Sequence, residues 1–308
     1  MSLIKIEDVA HVRFRAPDLR RLSAFLLDFG LTPTDAGEGR VFLRGAGTSP
    51  FLYAAEAGEE GFAALGLRAA GRADLKVLAR AEGAPVEPLD APGGGEVVRL
   101  TDPDGFRIEV VAGQAPAAPA LSPARREPWN SIAAHPRRGA TVRLAAGPAQ
   151  VVRLGHVVLN VTDFRVSERW YKDRFGFITS DEVAITPEFS LGAFMRCDRG
   201  ETPTDHHTLF LAQGPAAKFN HAAFEVADLD DLMVGHQHLK AAGHRQEWGV
   251  GRHILGSQVF DYWRDPWGHA VEHWTDGDLF TASSGSNVAT LADLVGVQWG
   301  PATPSTMA

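Results

Sequence analysis

The chain has 308 residues, of which 44% are hydrophobic and 22% charged, a composition that excludes fibrous and disordered proteins and fits about two globular domains. It carries 30 lysines and arginines against 38 aspartates and glutamates, and the net charge of −8 argues against a nucleic acid as the partner. The single cysteine, Cys197, excludes an intramolecular disulfide and a thiolate cluster, so any metal ion is expected to have nitrogen and oxygen ligands.

The N-terminal sequence is MSLIKIEDVAHVRF, in which Glu7 and Asp8 interrupt the apolar core that a secretory signal requires. No stretch of the chain approaches the ~20 consecutive apolar residues of a membrane-spanning helix. We therefore expect a cytoplasmic protein without a membrane partner.

One pattern, an alternating strand followed by an amphipathic helix, occurs four times along the chain. In the N-terminal half it occurs in VAHVRFRAPDLRRLSAFLLDFGL and GFAALGLRAAGRADLKVLARAEGA, and in the C-terminal half in RLGHVVLNVTDFRVSERWYKDRFGF and FNHAAFEVADLDDLMVGHQHLKAAGH. His11 and Gly30 of the first stretch correspond to His156 and Gly176 of the third. Because short alternating strands with Gly and Pro turns follow each helix, the sequence predicts an α+β fold of four βαβββ modules paired into two domains.

The domain boundary is expected between the two halves, where residues 113–150 are rich in Ala and Pro and favour an extended linker. Residues 1–112 then form the N-terminal domain and residues 151–280 the C-terminal domain. Residues 281–308 form a tail with one helix-like stretch, residues 288–295. The simplest role for this tail is to cover an exposed sheet surface.

Three polar side chains of the C-terminal half are predicted to point away from the helices. The apolar residues that alternate after His156 need the face beneath the helix, which leaves His156 on the other face. His221 lies opposite Phe224 by the same rule, and Glu272 alternates with Val271. Each residue alone is more often a packed or surface side chain. Together, two imidazoles and one carboxylate can form the facial triad that leaves three positions open on a six-coordinate Fe(II).

The segment GRHILGSQVFDYWRDPWGHAVEHW follows His221 in the chain and includes Glu272. It has a His, a Tyr nine residues later, a D-P-x-G turn and a Glu, and this order resembles the signature of the two-domain type I extradiol catechol dioxygenases of the vicinal oxygen chelate superfamily. Nearly the whole chain is similar to that family. The resemblance implies domains built from a cupped mixed sheet with its helices outside, and ring cleavage of an aromatic vicinal diol by O2.

The resemblance also implies roles for individual residues. Fe(II), or Mn(II) in its place, would be held by His156, His221 and Glu272 in the C-terminal domain, while His253 and Tyr262 would hydrogen-bond the substrate oxygens and help to remove a proton. We further expect a homo-oligomer that acts in aromatic hydrocarbon catabolism.

The resembled family has a catalytic His on the strand before the second metal-binding His, commonly in a His-His pair. This chain has DHHTLFLAQ, with His206 and His207. Strand periodicity does not choose between them, because Leu209 shares a face with His207 and Phe210 shares one with His206. The alignment to the family favours His207 as the acid–base residue. His206 is then expected to pack or hydrogen-bond away from the metal.

The N-terminal half offers an internal comparison. It has His11 at the place of the first ligand and Glu109 at the place of the last, seven residues after Asp102. Ala64, however, aligns with His221. We therefore expect the N-terminal domain to be a metal-free structural duplicate, as the resembled family also has it.

Other functions fit parts of this pattern. A 4-hydroxyphenylpyruvate-type oxygenase or a glyoxalase-like metal lyase of the same superfamily would share the two His and one Glu. A protein that sequesters an aromatic compound without turnover would need no triad. The set of His207, His253 and Tyr262 favours the ring-cleaving dioxygenase.

Overall fold

The computed structural model describes residues 2–37, 39–120 and 129–306; residues 121–128 of the predicted linker and the last two residues of the tail lie outside this description. In the first half the elements are β1 (Ile6–Ala16), α1 (Leu19–Asp28), β2 (Thr32–Gly37), β3 (Arg40–Arg44), β4 (Tyr53–Ala57), β5 (Gly61–Ala69), α2 (Arg72–Glu82), β6 (Val86–Pro88), β7 (Glu96–Thr101) and β8 (Arg107–Ala112).

The second half repeats this order and adds short strands. Its elements are β9 (Val151–Val161), α3 (Phe164–Phe175), β10 (Ile178–Thr186), β11 (Phe189–Arg196), β12 (Thr204–Asp205), β13 (Leu209–Gln213), β14 (Lys218–Val226), α4 (Leu229–Ala241), β15 (Arg245–His253), β16 (Val259–Arg264), β17 (Ala270–Thr275), β18 (Leu279–Phe280), β19 (Asn287–Thr290), α5 (Leu291–Val295) and β20 (Val297–Trp299).

Each half is built around one mixed β-sheet. The first sheet has eight strands in the order β2-β3-β4-β1-β5-β8-β7-β6, and the second has ten in the order β19-β10-β11-β13-β9-β14-β17-β16-β15-β20. The first strands of the paired modules, β1 with β5 and β9 with β14, lie antiparallel at the centre. The predicted α+β fold of four βαβββ modules is confirmed.

Local sequence explains where the helices begin and end, as α3 shows. The Asp163 side chain accepts a hydrogen bond from the backbone N–H of Val166 and caps the first turn. Gly176 ends the helix in the left-handed conformation, φ 72°, which favours glycine. Tyr171 and Phe175 on one face of the helix are buried, so the helix packs onto the sheet and leaves the other sheet face to the site.

The two halves share one continuous apolar core. The ring of His273 stacks on Phe29 with a centroid distance of 3.8 Å, and its Nε2 donates to the Phe29 carbonyl oxygen at 2.7 Å. The Tyr171 hydroxyl donates to Asp102, in the D-P-D-G turn of the first half, at 2.9 Å. These buried contacts fix the C-terminal sheet against the N-terminal half.

The tail supplies both edge strands of the ten-stranded sheet, β19 beside β10 and β20 beside β15. Between them α5 begins with a capping box formed by Thr290 and Asp293. The helix predicted over residues 288–295 is wrong in its first three residues. They form part of β19 because the edge of β10 offers unpaired backbone groups to a parallel strand.

None of the helices in the described part of the chain has the length and apolar composition that a membrane crossing requires.

Candidate metal centre and active site

Three adjacent strands bring His156, His221 and Glu272 together. The register of β14 pairs Ala223 with His156 of β9 on one side and with Glu272 of β17 on the other. His221 stands two residues before Ala223 and so shares its sheet face. Ala223 has only a methyl group, which leaves room for the three polar side chains to approach one another above it.

The geometry is that of a candidate site for one cation. Nε2 of His156 lies 3.3 Å from Oε2 of Glu272, and Nε2 of His221 lies 3.5 Å from the same oxygen. The ligand atoms of the three residues all lie within 4.8 Å of one another, and all three residues are buried. Neighbouring ligands of a six-coordinate ion, with bonds of about 2.1 Å, are separated by about 3 Å.

Hydrogen bonding and burial leave the donor atoms of this group free for an ion. Among the described residues no side chain makes a hydrogen bond of regular geometry to either carboxylate oxygen of Glu272, although the side chain is fully buried and the Tyr262 hydroxyl lies close enough to interact with it. Asn220 donates to Asn160, so its own Oδ1 accepts from Nδ1 of His221 at 2.8 Å. In this tautomer Nε2 of His221 carries the lone pair and lies on the side of Glu272.

The pKa values of Glu272, His156 and His221 are those expected of residues that bind a cation. Burial raises the pKa of Glu272 to about 7 and lowers the pKa of His156 to about 3 and that of His221 well below its ordinary value. Both imidazoles are therefore neutral and able to act as ligands. A divalent cation is the partner that would stabilise the buried carboxylate, so the residues fit a metal ion.

His207 lies in the same cavity, and His206 lies behind it. The ring of His207 packs on His156 with a centroid distance of 4.0 Å. Nδ1 of His207 lies 3.1 Å from Nδ1 of His206, and Nε2 of His206 lies 2.5 Å from Oδ2 of Asp181. All three side chains are buried. Burial lowers the pKa of His207 well below its ordinary value, so the ring is neutral.

His253 and Tyr262 form a pair on the opposite wall. Nε2 of His253 lies 3.0 Å from the Tyr262 hydroxyl and 3.8 Å from Oε1 of Glu272. The register of β16 and β17 pairs Tyr262 with Glu272. Burial raises the pKa of Tyr262 well above its ordinary value, because the phenolate would be desolvated and would face the Glu272 charge. The phenol therefore retains its proton.

These groups face a cavity of about 350 Å³. The five sequence-predicted residues His156, His207, His221, His253 and Tyr262 line it. Glu272 lies beneath them, within 3.8 Å of three of the histidines. The structure thus brings all six predicted residues together at one end of the cavity.

In the N-terminal half, arginines occupy the corresponding space. Register pairs Gly66 with His11 and Ala64 with Arg13, which makes Ala64 the counterpart of His221 and Arg13 the counterpart of Val158. Nε of Arg13 donates to Glu109 Oε2 at 2.6 Å, and Nε of Arg99 donates to Oε1 at 3.1 Å.

His11 completes this group, with Nε2 2.9 Å from Glu109 Oε2. Burial opposes ionisation of Glu109, but the interaction with His11 and then the guanidinium of Arg13 lower its pKa below its ordinary range. Both carboxylate oxygens of Glu109 therefore accept hydrogen bonds, in contrast to those of its C-terminal counterpart Glu272.

Sequence reasoning missed several of these residues, and signals existed for some. Arg99 precedes Glu109 by ten residues, as Tyr262 precedes Glu272, so the duplication itself marks Arg99. Asn220 is adjacent to a predicted ligand. No local pattern indicates Asp181, because its partner His206 lies 25 residues away in the chain.

The other histidines of the C-terminal half lie away from the site. His269 contacts Asp265 at 2.9 Å and His236 contacts Asp261 at 3.2 Å. His238 and His244 contact Asp28 of the first half. These contacts are structural and lie outside the cavity lining.

Two curated proteins are similar to this chain. Metapyrocatechase 2 of Cupriavidus necator is 30% identical over 301 residues, which cover 97% of this chain and 90% of that protein. The iron-dependent extradiol dioxygenase of Rhodococcus jostii (strain RHA1) is 28% identical over 130 residues, 40% of this chain and 43% of that protein.

Solved structures with the same fold cover almost the whole chain. The Mn(II)-bound glyoxalase from Novosphingobium aromaticivorans superposes with a TM-score of 0.79 at 26% identity, covering 99% of this chain and 95% of that one. Homoprotocatechuate 2,3-dioxygenase from Brevibacterium fuscum, in complex with 3,4-dihydroxyphenylacetate, superposes with a TM-score of 0.81 at 19% identity, covering 99% and 92%.

The sequence profile of the Glyoxalase/Bleomycin resistance protein/Dioxygenase superfamily matches residues 153–273, the part of the chain that holds the triad. Together with the full-length similarity to metapyrocatechase 2, this match assigns the family. The chain belongs to the extradiol catechol dioxygenases, enzymes of this superfamily.

Proposed function

We propose that the protein cleaves the ring of a catechol with O2, beside the diol, at Fe(II) held by His156, His221 and Glu272. The observation that carries this proposal is a buried carboxylate without a hydrogen bond of regular geometry among the described residues, facing two neutral imidazoles beneath a cavity. Both atoms of O2 enter the product as one C–C bond breaks, so the reaction needs no external reductant. The ion would supply neighbouring positions for both diol oxygens and for O2.

His253 and Tyr262 are proposed to bind one hydroxyl oxygen of the diol. His253 is neutral, since burial lowers its pKa to about 4, and can accept a proton from a diol hydroxyl. The Tyr262 phenol, which retains its proton, can donate a hydrogen bond to the oxygen that has lost one. Their 3.0 Å contact holds the two groups at a common point on the cavity wall.

His207 is proposed as the acid–base residue on the other side of the cavity. Asp181 accepts from Nε2 of His206, so Nδ1 of His206 carries the lone pair and accepts from Nδ1 of His207. This arrangement leaves Nε2 of His207 unprotonated. His207 can therefore take up a proton during turnover and return it to the reacting oxygen.

A glyoxalase-like metal lyase that uses Mn(II) is the second candidate. The 26% identity to the Mn(II)-bound glyoxalase favours it, and a two-His, one-Glu set also suits Mn(II). His207, His253 and Tyr262, which also line the cavity, favour the dioxygenase. Ring cleavage needs a proton removed from the diol at one place and a proton delivered to oxygen at another, and these residues lie on opposite walls.

The test is anaerobic loading with Fe(II), followed by catechol and then by air-saturated buffer. We expect a yellow ring-fission product and uptake of one O2 per catechol. Mn(II) loading is run in parallel, and Glu272→Ala is the control, expected to lose both metal and turnover. The proposal fails if neither metal supports O2 uptake with any catechol, and isomerisation of a 2-oxoaldehyde–thiol adduct by the Mn(II) form would favour the second candidate.

A further inference from the structure

One wall of the cavity is made of apolar side chains that no step above uses. Phe194 and Phe210 stack with a centroid distance of 4.0 Å and an interplanar angle of 6°. Phe194 also contacts the ring of His207, with centroids 4.9 Å apart. The cluster therefore adjoins the proposed acid–base residue; its members that line the cavity include Val158, Leu191, Phe194, Phe210, Leu255 and Leu294.

The cavity offers no partner for a negative charge outside the catalytic set. In the part of the chain that the structure describes, its lining includes no Lys, Arg, Asp or Glu. Its ionisable lining residues are the four histidines and Tyr262 already assigned to the metal and to proton transfer. A carboxylate on the substrate ring would thus be buried against apolar atoms or amides without a counter-ion, which is strongly unfavourable.

The volume allows more than an unsubstituted ring. An apolar cavity of about 150 Å³ accommodates one benzene ring. The 350 Å³ found here leaves about as much space again beside the ring of a bound catechol. An apolar substituent would fill this space and remove the wall from water.

The tail forms the far side of this wall. Leu291, Leu294 and Val295 of the α5 segment line the cavity, together with Thr303. The segment is held at both ends, since β19 pairs with β10 and β20 pairs with β15. The tail therefore contributes directly to the substrate pocket as well as covering the sheet.

We propose that the substrate is a catechol whose ring carries an uncharged apolar substituent, alkyl or aryl, seated against this wall, and that Leu294 is a specificity-determining residue. The proposal rests on the proposed ring cleavage for the orientation of the diol toward the triad. It predicts that catechols with a ring carboxylate are poor substrates and poor ligands.

The test uses pairs of compounds that differ in charge but little in shape. We compare 3- and 4-isopropylcatechol with 2,3- and 3,4-dihydroxybenzoate as substrates of the Fe(II) enzyme, and titrate the same compounds into metal-free protein by calorimetry. At the preferred ring position the isopropyl compound should exceed the carboxylate in kcat/KM by about 100-fold, and it should bind more tightly to the metal-free protein. A carboxylate that reacts and binds within about threefold of its isopropyl partner would overturn the proposal.

Leu294→Arg should lower kcat/KM for the isopropyl compound and raise it for the carboxylate. Val288→Arg adds the same charge to the same tail at a residue that is 75% exposed and outside the cavity, and it should leave the preference unchanged. Equal effects of both variants would overturn the role of Leu294. The whole set of compounds separates the two proposals: if neither unsubstituted catechol nor any of the four substituted compounds is cleaved, the ring-cleavage proposal fails, while the titration into metal-free protein still decides the substituent preference.

Discussion

His206 donates from Nε2 to Oδ2 of Asp181 over 2.5 Å, and both side chains are buried. The other ring nitrogen of His206 contacts Nδ1 of His207 at 3.1 Å. The unused member of the His-His pair thus has a definite position, between a carboxylate and the proposed acid–base residue. A series of hydrogen bonds of this kind orients an imidazole and selects its tautomer.

Asp181→Asn should disturb this orientation without removing a group that contacts substrate. We expect unchanged metal content and a KM within a few-fold of the parent, with kcat about 10–100-fold lower, because outer partners of functional histidines have effects of this size. The nitrogen-15 shifts of the His207 ring should report a different tautomer mixture. Glu188→Gln, at an exposed carboxylate nearby in sequence, is the control. Unchanged tautomers together with an unchanged kcat would contradict the role of Asp181.

Tyr262→Phe removes one hydroxyl and retains the ring that packs on Trp248 with a centroid distance of 5.5 Å. His253 loses its 3.0 Å contact, and the substrate oxygen loses a donor. We expect unchanged metal content, a catechol affinity lower by about 10-fold, and an altered pH dependence of anaerobic catechol binding. If affinity, rate and pH dependence all match the parent, Tyr262 acts only in packing.

The N-terminal half is expected to bind no metal, because Arg13 and Arg99 already contact both oxygens of Glu109. Metal analysis should give one ion per chain. Glu109→Ala should leave this ratio unchanged but lower the free energy of unfolding by about 1–3 kcal/mol, since the partly buried guanidinium groups of Arg13 and Arg99 lose a charged hydrogen-bond acceptor while Arg99 retains Glu87. Chemical denaturation measures this loss. A second ion per chain that disappears in His11→Ala would show that the site binds metal after all.

Cys197 should resist thiol reagents in the folded protein. The residue is 1% exposed, and burial raises the pKa of its thiol, which disfavours the reactive thiolate. We expect no labelling under native conditions and one label per chain in denaturant, so labelling reports global unfolding. Rapid native labelling would indicate that the segment directly after β11, which carries Cys197, opens locally.

Much of the fold and of the site is determined by local sequence. Period-2 alternation and helix signals define the four modules, because each strand must present one apolar face to its helix. The same alternation directs His156, His221 and Glu272 to the opposite face, and the spacing from His253 to Glu272 carries the family resemblance. The duplication also identifies Ala64 as the missing ligand in the first half.

Only the tertiary structure decides how distant residues meet. Strand periodicity does not distinguish His206 from His207; the distinction follows from Asp181, which reaches one of them across the sheet. In the N-terminal half, sheet register brings Arg13 and Arg99 to the two carboxylate oxygens of Glu109. The tail forms β19 and β20 and lines the cavity because β10 and β15 offer unpaired backbone groups at the sheet edges, and the partner of such an edge is set by folding rather than by local pattern.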